Sequence, residues 1–317
     1  MMHRVCCLLL AGLALSSSQG AEPDKKPNSR RAEKLRSLVR FLEVEVETAK
    51  RLRERQAESV AEVDRLTAAL AKTRHDLAVT KGDQGAAITH CQQLIDVRNR
   101  QLNRQVELYQ GGFGSHAELV GAMRRLAVAR YQHATLEGDA SEATEMLGKV
   151  ERFCENELNA LLALKSGGAA SPMEVSRARY RATIAAYCLA KQQDNTSSIG
   201  PKLNLAVSRC EQDLSQIENL HQQGFAGLHD VYFAQTHCLE AKLLRASLEK
   251  DRVALLSTLE ELVLNHQKVL PTLGDDRKGK VLRVFIEHAL ERDQNRSRQL
   301  QRDGDLEDDF SVSELDF

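Results

Sequence analysis

Tryptophan is missing from this chain of 317 residues, aromatic residues make up only 4% of it, and 5 residues are proline. So few aromatics leave little from which to build a sheet core. Charge of one sign is lacking as well. The formal net charge is −1, so no overall field recommends nucleic acid or an anionic membrane surface as a partner. There is no H-E-x-x-H zinc motif, no G-x-S-x-G nucleophile turn, and no Gly-Lys-Ser/Thr after the glycine-rich stretch Gly111-Gly112-Phe113-Gly114. Cysteines never occur as C-x-x-C. Beyond the first twenty residues, no apolar run resembles a transmembrane helix.

What is present is a helix-forming composition. Ala, Leu, Glu, Arg and Gln are abundant, and 28% of the residues are charged. An all-α fold follows from this balance. Its organisation is set by a motif that returns. Gly111-Gly112-Phe113-Gly114-Ser115-His116-Ala117-Glu118-Leu119 is followed 56 residues later by Gly167-Gly168-Ala169-Ala170-Ser171-Pro172-Met173-Glu174-Val175. A third copy reads Gly224-Phe225-Ala226-Gly227-Leu228-His229-Asp230-Val231, and Ser59-Val60-Ala61-Glu62-Val63 stands one period before the first. A fixed period kept over four copies marks a repeat architecture.

Each copy reads as a helix end followed by a helix start. Gly112 and Gly168 suit the left-handed residue that closes a helix. Ser115 and Ser171 cap the next helix, with Glu118 and Glu174 completing capping boxes and Pro172 at the first helical position. Ser59 and Glu62 keep the box, but Gln56 replaces the glycine, so the chain there either bends or runs on as helix. Gly227 with Asp230 is a weaker cap. Leu52, Leu108, Leu164 and Leu220 recur before the motif. After it comes an apolar seam: Val63, Leu66, Leu70, Thr73, Leu77 in one copy, and Leu119, Ala122, Leu126, Ala129, His133 in the next. The others are Val175, Ala178, Ala182, Ala185, Leu189 and Val231, Ala234, Cys238, Ala241. Such spacing suits knobs-into-holes packing.

A second break closes each repeat. Lys81-Gly82-Asp83 and Glu137-Gly138-Asp139 pair a terminal glycine with a capping Asp, and Glu142 is placed to complete a box with Asp139. The third break widens into Asp194-Asn195-Thr196-Ser197-Ser198-Ile199-Gly200-Pro201. The fourth, Leu248-Glu249-Lys250-Asp251, has no glycine, so the helix is expected to continue through it. Each repeat is then two antiparallel helices of roughly 22–28 residues.

The ends differ from the middle. A basic start, the apolar run Val5–Leu15 and the small residues Ser16–Ala21 read as a secretory signal over residues 1–20. Residues 21–29 read as a flexible lead-in, 30–270 as the helical repeat region, 271–302 as a break and a C-terminal helix starting near Val281, and 303–317 as an acidic disordered tail. Cleavage leaves Cys91, Cys154, Cys188, Cys210 and Cys238, an odd number, best read as buried thiols. His221, His229 and His237 are spaced by eight, which drifts around a helix instead of converging on a metal. Arg124, Arg125, Arg130, Arg177, Arg179 and Arg181 are the densest basic positions and read as a solvated face. Asn195-Thr196-Ser197 and Asn295-Arg296-Ser297 match the glycosylation sequon, relevant only in a eukaryotic host. No catalytic, cofactor-binding or metal-binding residue is assigned, and no enzymatic activity is expected.

The motif Leu-x-x-x-Gly-x-x-Ser-x-x-Glu-Val/Leu-x-x-Ala, before a helix bearing Ala-Arg-Tyr, resembles the periplasmic coiled-coil hairpins of TolC-type outer-membrane efflux proteins and of membrane-fusion adaptors. Leu108–Tyr131 and Leu164–Tyr187 carry the likeness best. The membrane strands of the former and the β-rich domains of the latter have no counterpart here. The resemblance implies tandem antiparallel helical hairpins in a long coiled-coil-like bundle, exported to the periplasm or cell envelope. It implies a non-catalytic scaffold or accessory component linked to efflux, binding protein partners through helical packing. The alternative is an oligomeric TolC-like conduit. Cofactors, nucleic acid and a transmembrane segment in the mature chain are not expected.

Overall fold

A computed structural model describes residues 27–195, 198–274 and 277–303. The stretch read as a secretory signal, most of the stretch read as a lead-in, and residues 304–317 of the stretch read as an acidic tail lie outside the described residues. Within them the chain is all-helical. In order come α1 (Pro27–Glu54), α2 (Val60–Lys81), α3 (Gln84–Gln110), α4 (His116–Glu137) and α5 (Ala140–Ser166). They are followed by α6 (Pro172–Gln192), α7 (Gly200–Gln222), α8 (Leu228–Glu249), α9 (Arg252–Val269) and α10 (Arg277–Asp303), with a 3-10 turn at Leu270–Thr272. No described helix is long and apolar enough to cross a membrane.

Helix starts and left-handed corners recur at a fixed spacing. Helices α2, α4, α6 and α8 begin at 60, 116, 172 and 228, one period apart each time. All described residues with positive φ fall on two phases of that period. One phase is Gln56, Gly112, Gly168 and Gly224; the other is Gly82, Gly138, Asp194 and Lys250. At each of these the helix ends with the same pair of backbone bonds. At the first phase, the N–H groups of Ala57, Phe113, Ala169 and Phe225 donate to the carbonyls of Leu52, Leu108, Leu164 and Leu220. At the second, Asp83, Asp139, Asn195 and Asp251 donate to Ala78, Ala134, Ala190 and Ala246. With the companion bond from each left-handed residue, these are Schellman closures, which satisfy carbonyls the helix would otherwise orphan.

One corner departs from the sequence expectation, and another settles an alternative that the sequence left open. The helix does not continue through Lys250; it stops at Glu249, and Lys250 takes φ 53°. Gln56, at φ 59°, bends the chain likewise. The left-handed state is thus taken even where glycine is missing, at a backbone cost of about 1–2 kcal/mol. The caps also differ in detail. Ser115 and Ser171 form both halves of the capping box. Ser59 accepts from the Glu62 N–H, but the Glu62 carboxylate turns to Arg65 instead of returning. Glu142 does not complete a box either, because the Asp139 N–H is already committed to Ala134.

The ends of the array are corrected too. Helix α1 starts at Pro27, inside the stretch read as a lead-in. Helix α10 starts at Arg277, not near Val281; Gly279 in its first turn costs only about 1 kcal/mol of propensity.

Consecutive helices pack on one another down the chain, and α6 also packs directly on α8. The connection from α6 to α7 is longer than its counterparts, α7 is 23 residues against 27 in α3 and α5, and α6 touches α7 less than other neighbours touch. A core cluster spanning α4, α5, α6, α7 and α8 includes Val128, Leu147, Ile184, Leu203 and Leu244, each at 1% exposure or less. Burying such side chains contributes about 1.5–3 kcal/mol apiece. Helix α8 is covered on more than one stripe, since Tyr232, His237, Leu239, Leu243 and Leu244 are buried besides Ala234, Cys238 and Ala241. Helix α8 is thus packed by α6, α7 and α9. One salt bridge, Lys34 Nζ to Glu291 Oε2 at 2.7 Å, joins the first helix to the last, so the array curls back on itself.

Candidate functional site

Two features stand out from this scaffold: a line of buried polar groups inside it and a row of apolar residues at one end. The buried line contradicts the reading of the arginines as a solvated face. Arg124 is 2% exposed, and its Nε donates to Glu157 on α5 at 3.0 Å. Arg181 on α6 donates to the other Glu157 oxygen at 2.9 Å. Arg179 pairs with Asp213 on α7, which stands at the repeat position of Glu157. Arg130 is exposed, and Arg177, also exposed, lies over the Phe233 ring at 5.3 Å. The helix spacing of Arg179 and Arg181 sends them to different neighbours, α7 and α5. Sequence could locate these cations but not their carboxylates, which come from helices about 30 residues away.

The second half of the line joins α6, α8, α9 and α10. The Tyr180 hydroxyl donates to Glu240, whose other oxygen accepts from Arg292 at 2.7 Å. Arg292 and Arg296 both reach Asp293. Asp293 is 2.9 Å from His266 Nε2, and His266 Nδ1 is 2.7 Å from the Tyr232 hydroxyl. A ring with its hydrogen on Nε2 satisfies both partners. Burial pushes the Asp293 carboxyl up, but the His266 hydrogen bond and the Arg292 charge outweigh it and hold the group at about 2. Two carboxylates thus face two guanidinium groups. His266 and Asp293 are both 0% exposed, so this Tyr–His–Asp line cannot meet a substrate.

The remaining candidates do not converge. His221 Nδ1 bonds the Ala226 carbonyl at the end of α7, His229 is exposed, and His237 is buried against Tyr180. His90 bonds Gln93, while Cys91 donates to the Ala129 carbonyl. Among the described residues, no group of three or more His, Cys, Asp or Glu could hold a metal. Burial pushes the Cys154 and Cys210 thiols up to about 12, and raises Cys238 as well. Such thiols are poor nucleophiles at neutral pH. A groove of about 430 Å³ among α2, α3 and α4 is lined by Arg65, Lys72, Arg98, Arg104 and Arg125, and Glu62, Asp64 and Asp76 pair with the first, fourth and second of them.

The apolar row lies at the corners α1–α2, α3–α4, α5–α6 and α7–α8. Phe113 and Phe225 are 87% and 81% exposed, the most exposed large apolar side chains among the described residues. Leu108, Tyr109, Leu164 and Leu228 are part-exposed beside them. The sequence signal was present in the repeat itself: each Phe follows a left-handed glycine, a position held outside the helix. No family model matches the chain, and no significant match emerges among curated proteins or solved structures.

Proposed function

We propose that this chain is a non-catalytic, exported helical scaffold in a cell-envelope assembly, built as tandem antiparallel hairpins of coiled-coil type. The observation that carries this reading is the corner repeated at eight places in one register. A chain that closes eight successive helices in the same way forms a stiff body with two distinct ends, as a spacer or platform requires. The buried ion pairs support it, since they lock neighbouring helices together while remaining out of reach of a substrate. The likeness of Leu108–Tyr131 and Leu164–Tyr187 to efflux hairpins supports a place beside transport machinery. Protein partners would bind through helical packing and exposed corners.

The test is fractionation of cells carrying the full gene, with N-terminal sequencing of the product. A chain starting at Ala21 in the periplasmic or envelope fraction supports the reading. An uncut chain in the cytosol overturns it. A detergent-free closed ring of three or more copies would instead favour the conduit.

A further inference from the structure

Four of the five cysteines among the described residues are buried, and two of these share one helix–helix seam. Cys210 on α7 and Cys238 on α8 each stand 14 residues from the left-handed Gly224, one on either side of it. In a hairpin that turns at Gly224, equal distances along antiparallel helices bring two residues to the same level. The seam reads Val207, Cys210, Leu214, Ile217 on α7 and Val231, Ala234, Cys238, Ala241 on α8, in alternating threes and fours. Cys210 therefore shares its layer with Cys238. Val207, Cys210, Cys238 and Ala241 form one buried cluster with Leu214 packed against it, and each cysteine is 2% exposed.

The other hairpins support this level. Leu42 and Leu70 stand 14 residues either side of Gln56 and lie in one cluster, as do Cys154 and Ala182 about Gly168. The remaining hairpin sets Arg98 opposite Leu126. Only about Gly224 are both positions cysteine. The small side chains of Ala234 and Ala241, in the layers above and below, let the two backbones approach, and a disulfide needs Cα atoms within about 7 Å. No other pair competes. Cys91 donates to the Ala129 carbonyl. Cys188 stands 20 residues beyond Gly168 against 14 for Cys154, so the two are about 9 Å apart along the hairpin.

We propose that Cys210 and Cys238 are a disulfide site, closed by a thiol–disulfide oxidant into a covalent clamp between α7 and α8. One thiolate attacks a sulfur of the oxidant's disulfide and releases a thiol; the second then displaces the oxidant from the mixed disulfide. Two protein S–H bonds are lost, one S–S bond forms, and the oxidant leaves as two thiols carrying both hydrogens. Burial holds both protein thiols above their usual range, Cys210 at about 12, so attack occurs while α7 is docking and not in the closed hairpin. The clamp has its largest effect here, because α7 is shorter than α3 and α5 and touches α6 less than other neighbours touch. The site goes beyond the scaffold reading. Export would supply the oxidant, but the test uses purified protein and does not depend on export.

The experiment is refolding of the full reduced chain from urea in a mixture of oxidised and reduced glutathione, then alkylation of the remaining thiols in denaturant and tryptic mapping. No Lys or Arg lies between Cys210 and Lys242, so both cysteines fall in the peptide 210–242. That peptide should take up no label and weigh two hydrogen atoms less than its reduced form, while the peptides of Cys91, Cys154 and Cys188 each take one label. Label or glutathione on Cys210 and Cys238 overturns the proposal, as does a bond from either to another cysteine. So does equal closure in denaturing urea, which would reflect nearness in sequence and not the seam. Cys238→Ala copies Ala182 of the preceding repeat and so leaves the seam filled. The oxidised wild type should unfold at a higher urea midpoint than the reduced chain, and the variant at one midpoint under both conditions. Equal midpoints for the oxidised and reduced wild type overturn the clamp.

Discussion

His237 on α8 lies ring to ring with Tyr180 on α6, centroids 4.6 Å apart and planes 15° from parallel, and its Nδ1 has no hydrogen-bond partner. Burial, helped by the charges of Arg177 and Arg181, pushes its pKa down to about 3. The unfolded chain binds this proton near pH 6.5, so between about 6.5 and 3 it holds more protons than the folded one. Stability therefore falls as pH drops through that window, by about 2 kcal/mol at pH 5 from this group alone. His237→Phe keeps the stack and removes the titration. Urea unfolding at pH 7.5 and pH 5 should show a smaller loss for the variant; an equal loss in both proteins would refute the assignment.

Asp293 gives the opposite sign in a different window. Its folded pKa of about 2 lies below the ordinary value, so its stabilisation is present above about pH 3.9 and lost as pH falls toward 2. Asp293→Asn keeps the shape but leaves Arg292 and Arg296 facing a neutral group. The expected cost at pH 7 is about 3 kcal/mol, shrinking as pH is lowered through the window. A cost that does not change with pH would place the effect in packing instead.

Much of this architecture was legible because its punctuation is local. Gly112, Gly138 and Gly168 announce left-handed helix ends, and Ser115 and Ser171 announce starts, since each acts on backbone groups within a few residues of itself. Lys250 hid its corner, and Gln56 left its own undecided, because neither residue favours positive φ. Arg124, Arg179 and Arg181 were misread for a related reason. A cation in a helix-forming stretch looks solvated until the carboxylate of another helix is known to face it. The row of Phe113 and Phe225 was visible only as part of a motif, and its exposure needed the fold.

Lys250 offers a direct test of imposed backbone geometry. Glycine takes φ near 53° without the side-chain penalty, so Lys250→Gly should raise stability by about 1 kcal/mol, and Gln56→Gly by a similar amount. Gly138→Ala should cost about as much, although no atom lies within 4 Å of the added methyl. Thermal melts of the three variants decide it. Destabilisation by Lys250→Gly would show that the side chain contributes more than the backbone loses.

Gly227 is the one corner of its kind without a capping hydroxyl. Asp230 Oδ2 accepts from its N–H at 2.9 Å, but no side chain answers in return. The backbone at φ −80° and ψ 161° matches that of Ser115 and Ser171, and a Cβ would meet Asp230 at an ordinary 3.6 Å. Gly227→Ser should therefore stabilise the chain by a few tenths to about 1 kcal/mol, and Ser171→Ala should cost about 1 kcal/mol. Both are read from urea midpoints at constant slope.

Glu157 holds two guanidinium groups at once, Arg124 at 3.0 Å and Arg181 at 2.9 Å, in a site where Arg124 is 2% exposed. Removing the carboxylate leaves two buried cations beside each other, and burial together with the Arg124 charge already draws the Arg181 pKa down. Glu157→Leu should cost about 3–5 kcal/mol, more than an exposed ion pair such as Lys34–Glu291, worth at most about 1 kcal/mol. Desolvation, not the bare pairing, sets that difference. The triple variant Arg124→Leu/Glu157→Leu/Arg181→Leu should therefore recover most of the loss, because no buried charge remains to be compensated. If denaturant unfolding finds the triple variant as unstable as the single one, these residues hold α4, α5 and α6 together by shape, and the charges are incidental.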